Sequence, residues 1–144
     1  MTTLPAHVDE RSRWQRVTAP TLLAAGLLAL SVLLHLRDPH RSGSWGYCPW
    51  LLLTGTFCPG CGGLRAVNEL THGDLRAAAS SNLLFVSSVP LLAAWWVRSM
   101  TNRWRGAPGT PEARRHVVLA LLFLAVAVGF AVLRNTATGA WLAP

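Results

Sequence analysis

The chain has 144 residues, 51% of them hydrophobic and only 13% charged, about half the charged fraction of an ordinary soluble domain. Its net charge of +7 comes from arginine alone, since the sequence contains no lysine. A basic balance can serve nucleic acid, but no zinc-finger, RRM or helix-turn-helix pattern accompanies it, so nucleic acid is not an expected partner. The apolar residues are gathered into runs. This predicts an all-α polytopic membrane protein, with a polar cytoplasmic tail over 1–17 and one membrane domain over 18–144.

The tail carries Arg11, Arg13 and Arg16, with Trp14 among them at the headgroup level. Residues 18–36 then run without a charge and are long enough to cross the hydrocarbon core, with Pro20 in the first turn. The run is followed by HLRDPHR and not by a small-residue cleavage site, so it reads as an anchor and not as a cleaved signal peptide. Ser42-Gly43-Ser44 is turn-prone, and Trp45, Tyr47 and Trp50 fit an aromatic belt at the opposite interface. Residues 49–57 are apolar but too short to span, and read as an interfacial or re-entrant segment.

That segment delivers the stretch Cys58-Pro59-Gly60-Cys61-Gly62-Gly63. Leu64, Val67 and Leu70 recur at helical spacing after it, which predicts a short amphipathic helix closed by Gly73. Asp74 is a good N-cap for a second span over about 77–98, rich in alanine and serine, with a kink expected at Pro90. A polar, arginine-rich loop over 99–116 leads to a third span over 117–133. Residues 136–144 then read as a short tail with Trp141 at the interface. Counting arginines by side gives eight on the N-terminal side against five on the other, which places the N-terminus in the cytoplasm and the cysteine motif outside.

Asp38-Pro39, Tyr47-Cys48-Pro49, Leu53-Thr54-Gly55, CPGCGGLRA, His72-Gly73-Asp74, Ala78-Ala79 with Asn82, Arg134-Asn135 and Leu142-Ala143-Pro144 together resemble the DUF2752 family of small bacterial membrane proteins. The CPxCGxxRA core is the most specific part. Gly63-Leu64 stands where the family's typical form has a Leu-Thr pair before Arg-Ala. The resemblance implies a multi-pass protein of the bacterial plasma membrane and brings no established reaction.

The residues leave three readings of the motif open. In a thiol-redox reading, Cys58 starts the amphipathic helix with Pro59 as its first residue and attacks, with Arg65 adding positive potential. Cys61 resolves and Cys48 shuttles. In a metal reading, Cys58 and Cys61 form the turn that zinc ribbons use, Cys48 is a third ligand, and His72 or His40 a fourth to zinc. In a purely structural reading, the pair fixes a re-entrant turn in a non-enzymatic scaffold. The partners expected are the lipid bilayer and, through the small-residue second helix, another membrane protein or a second copy of the chain. His35 and His116 are expected at the interfaces and Glu69 on an exposed helix face, with proton handling as its alternative. Asn82 is expected in a helix–helix hydrogen bond, and the basic loop against anionic lipid.

Overall fold

The computed structural model describes residues 12–41, 45–106 and 113–144. Among them the chain is all helical, and three helices are long and apolar enough to cross a membrane. The first, α1 (Arg13–Leu36), begins five residues before the charge-free run, inside the expected tail. The reason is a capping box: the Ser12 hydroxyl accepts the Gln15 N–H, and the Gln15 side chain accepts the Ser12 N–H at 2.9 Å. Residues 1–11 of the expected tail lie outside the described residues.

Next come α2 (Pro49–Thr54), with proline in its first turn, and α3 (Gly63–Thr71), the amphipathic helix, which ends at His72 ahead of Gly73 at φ +80°. The second span, α4 (Leu75–Arg105), starts where the Asp74 carboxylate accepts the Ala77 N–H at 2.8 Å. It takes up seven residues that were expected in the polar loop and stops at Gly106 in the left-handed region. The third span, α5 (Ala113–Arg134), also begins inside that expected loop. Residues 136–144 are not a free tail. A 3-10 helix (Ala137–Leu142) folds back so that Leu142 is buried.

Two expectations about α4 are corrected together. Its break is not at Pro90, which lies within helical backbone, but at Asn82, the one residue of α4 with non-helical φ and ψ. A proline inside a membrane helix removes one hydrogen bond, and the helix absorbs the loss. Asn82 instead has a side chain that replaces the ladder. Its Oδ1 accepts the Phe85 N–H at 2.9 Å and so caps the long second part of α4. Its amide does not reach across to a helix, as expected from sequence, but to the cysteine turn.

The burial is concentrated at one end of the molecule. The lower ends of α1 and α5, the start of α4 and all of α3 meet there around Leu34, Ala66, Ala78, Asn82 and Arg134, each at most 1% exposed. Ala66 and Ala78 let α3 and α4 approach closely. Along the spans, the leucines and valines of α1 and α5 face outward, as a lipid solvent requires. The opposite end is held by Trp14 against Trp104, edge to face at 5.2 Å.

Gly62 shows how tightly the buried end is built. It has φ +82°, and a Cβ there would strike the Ser81 carbonyl and Pro144, whereas a Cβ on the neighbouring Gly63 would meet open space. Gly62→Ala should therefore cost roughly 2–4 kcal/mol, strain and overpacking combined, and Gly63→Ala should be neutral or mildly stabilising. Thermal unfolding of the two variants in detergent measures this, and equal midpoints would contradict the packing described.

Candidate functional site

The chain enters the site through α2. Cys48 is its N-cap, and Gly55 at φ +67° turns the chain back after Thr54. Asn135, just past α5, then grips the backbone of Phe57 from both sides: it accepts the Phe57 N–H at 2.9 Å and donates to the Phe57 carbonyl at 2.8 Å. The cysteine turn follows. Cys61 N–H donates to the Cys58 carbonyl at 3.1 Å and Gly63 N–H to the Gly60 carbonyl at 3.0 Å. Only at Gly63, with Gly62 as its N-cap, does α3 begin. Cys58 is therefore not at the start of a helix, contrary to the expectation that Pro59 would be a first helical residue.

Three free thiols converge here. The Cys58 sulfur lies 3.0 Å from that of Cys61 and 3.6 Å from that of Cys48, and all three lie within 4.8 Å of one another. The Cys58 N–H also points at the Cys61 sulfur, at 3.3 Å. The surroundings separate the thiols. A backbone N–H of Leu51, at the start of α2, holds the Cys48 thiol below its ordinary range, with the other two thiols assisting. Burial pushes the Cys61 thiol up to about 12, and the neighbouring Cys58 and Cys48 thiols add to the shift.

The turn's carbonyls are held by two residues that the sequence reading did not assign to it. Asn82 donates to the carbonyls of Pro59 at 2.9 Å and Cys61 at 3.0 Å. Arg134 is 1% exposed. Its Nη1 donates to the carbonyls of Cys58 and Cys61 at 3.0 and 3.1 Å, and its Nη2 to that of Leu142 at 2.9 Å. The guanidinium also lies 5.6 Å from the centre of the Phe57 ring and 4.9 Å from that of Phe130. The cation that touches the motif thus comes from 73 residues beyond Cys61 and not from Arg65. The available signal was an arginine ending a charge-free span beside an asparagine, on the same side as the motif.

The histidines considered as a fourth ligand are engaged elsewhere. His40 bridges Asp38 at 2.8 Å and Glu69 at 2.9 Å. His72 donates through Nδ1 to the Asn68 carbonyl at 2.8 Å and stacks on His35 at 4.2 Å. The Thr71 hydroxyl spends its hydrogen on the Asn68 carbonyl, so it accepts from His35 Nδ1 at 3.0 Å. Glu69 is thereby corrected from an exposed face to a largely covered one, with a side chain 13% exposed. Asn68 completes this clasp, donating to the Leu34 carbonyl at 2.7 Å. The clasp ties the end of α1 to α3 and does not join the thiols. Among the described residues, the group that could hold a metal ion is Cys48, Cys58 and Cys61.

Residues 48–96 match the model of the family described as "Protein of unknown function (DUF2752)". The match runs from Cys48 through the cysteine turn, α3 and much of α4, and it agrees with the resemblance that the motif residues carry. No curated protein and no solved structure matches the chain.

Because the thiolate is the nucleophile, the environments order the reactivity of the three sulfurs. In metal-free protein in detergent, iodoacetamide near neutral pH should label Cys48 well ahead of Cys61. Cys61 labelling should climb only as the pH approaches about 12. Mass-spectrometric mapping of the alkylated sites checks this. Equal labelling of the two at pH 8 would contradict the assigned environments.

Proposed function

We propose that this membrane protein binds a divalent metal ion of the zinc class on the thiolates of Cys48, Cys58 and Cys61, and serves as a metal-linked accessory of the bacterial envelope. The observation that carries the reading is the convergence of three free thiols from two chain segments. Sulfurs bound tetrahedrally to zinc at about 2.3 Å stand about 3.8 Å apart. The separations of 3.0 and 3.6 Å are shorter than that value, and all three sulfurs lie within 4.8 Å of one another, so a small outward adjustment would seat the ion. The N–H of Cys58 aimed at the Cys61 sulfur is also what a thiolate ligand calls for. Three protein ligands leave a fourth position for an exogenous one, the pattern of working zinc sites and not of closed structural ones.

The test is metal stoichiometry. Purified protein loaded with zinc and freed of excess should hold one equivalent per chain. Cobalt in its place should give the thiolate charge-transfer band of a tetrahedral site. Cys48→Ser, Cys58→Ser and Cys61→Ser should each weaken zinc binding well below that of the wild type. A wild-type protein that holds no zinc or cobalt would overturn the reading.

One observation favours a second reading, thiol–disulfide exchange. The Cys58 sulfur stands between the other two and could pair with either, and Cys48 has the lowered pKa of an attacking thiol. That reading requires mixed disulfides with partner proteins to accumulate when the resolving cysteine is replaced. Their absence from all three single variants on a non-reducing gel would remove it. If neither metal nor trapped partner appears, the motif is the structural turn of a scaffold.

The compartment is part of the same proposal. Arg13, Arg16, Arg98, Arg103, Arg105 and Arg115 lie toward the end of the molecule opposite the thiols, which supports a cytoplasmic N-terminus and an external site. A reporter fused at residue 108 should be active only in the cytoplasm, and an impermeant thiol reagent should reach the motif from outside intact cells. An externally active reporter at 108 would reverse the orientation.

A further inference from the structure

Arg134 poses a physical question that the turn's carbonyls do not answer. Its side chain is among the most deeply buried in the protein, at 1% exposure, and its Nε is buried without a hydrogen-bond partner. Its contacts are three carbonyls and two aromatic rings, all of them neutral. A buried guanidinium stays charged, and burying a charge without an opposite one is costly. Among the described residues no carboxylate forms an ion pair with it. The ionisable groups on the turn it holds are the thiols of Cys58 and Cys61, whose own carbonyls accept from its Nη1.

The charges of the proposed centre supply what is missing. Three thiolates and one divalent ion sum to a single negative charge. One guanidinium brings the total to zero. A neutral assembly is the one that a low-dielectric, buried position tolerates best.

We propose that Arg134 is the fixed counter-charge of the Cys48, Cys58 and Cys61 centre, a positioning residue that makes a three-thiolate, divalent-metal site with a neutral fourth ligand electrically complete. The inference rests on the metal reading above. It adds that the charge of Arg134 acts on the metal, beyond the hydrogen bonds the side chain gives the turn.

The experiment separates charge from scaffold with the full-length protein in detergent and cadmium as the probe, its affinity read by chelator competition and its thiolate charge-transfer absorbance. Arg134→Gln, which can still donate hydrogen bonds, should weaken cadmium binding between about ten- and a hundredfold, the usual range for residues that support a ligand shell. Arg134→Lys keeps the charge but loses the planar fork, and should stay within about threefold of wild type. Where Arg134→Gln does not fold, Arg134→Lys decides alone. A loss of tenfold or more there would assign the role to the fork and overturn the proposal.

A double-mutant cycle gives the sharper reading. Cys48→Ser removes one thiolate from a residue whose carbonyl Arg134 does not hold, so the remaining metal centre is neutral by itself. In that background Arg134→Gln should cost clearly less than in the wild type. An equal cost in both backgrounds means a purely structural arginine. A wild-type protein that binds no cadmium sinks the metal reading itself. Cadmium bound equally by wild type and Arg134→Gln leaves that reading standing and removes the counter-charge.

Discussion

The carbonyls of Cys58 and Cys61 point to one place, and the structure depends on what meets them there. A four-residue turn between two short helices cannot satisfy its own backbone, and where the membrane begins no water is guaranteed to do it. Arg134 answers from the end of α5 and Asn82 from the break in α4. Each of these residues also terminates or restarts a helix. The same side chains that hold the turn therefore stand where α5 ends and where α4 breaks, and Asn135 adds a second grip through Phe57.

The protein carries two solvents in its sequence. Along the spans, large apolar side chains face outward and give little protein–protein burial, since in lipid there is no hydrophobic gain in bringing them together. Specificity has to come from polar groups and small residues, and these are gathered at the thiol end. Ala66 and Ala78 bring α3 to α4, the Asn68 amide ties α3 to the Leu34 carbonyl, and His40 ties the loop after α1 to Glu69. Asp38, beside that histidine, is held below the usual carboxylate range by the His40 backbone N–H and then by its ring. Hydrogen-bonded polar contacts between α1, α3 and the loop are thus part of the frame that holds the thiols.

What was legible in the sequence was local. Charge-free runs announce spans, the spacing of Leu64, Val67 and Leu70 announces α3, and Asp74 and Gly73 mark helix boundaries, because in each case the physics acts within a few residues. The capping box of Ser12 and Gln15 is equally local, and it starts α1 ahead of the apolar run. The three cysteines were legible as a set, and the structure brings all three together. Their surroundings were not. Whether Cys58 heads a helix depends on whether the turn at Pro59 is already helical, and the carbonyls of that turn are held by Arg134 and Asn82 from far along the chain. Pro90 and Asn82 make the same point from opposite directions. A proline's local penalty can be absorbed by the surrounding helix, whereas an asparagine with two carbonyls to serve gives up helical backbone to serve them.

The covered, unshared oxygen of Glu69 and the unpartnered Nε of Arg134 are both buried polar atoms without partners, yet they carry different weight. Glu69 already shares its charge with His40 through its other oxygen, in a clasp whose ring is 43% exposed to solvent, so its unmade bond is a modest cost near water. Arg134 is 1% exposed and, among the described residues, forms no ion pair with a carboxylate. A cation so enclosed at the end of a membrane helix is costly even with three carbonyls to hold it, and the ionisable atoms on the turn it grips are sulfurs. The arginine and the cysteines therefore explain each other. Three crowded thiols have a use for a buried cation, and a buried cation has a use for thiolates.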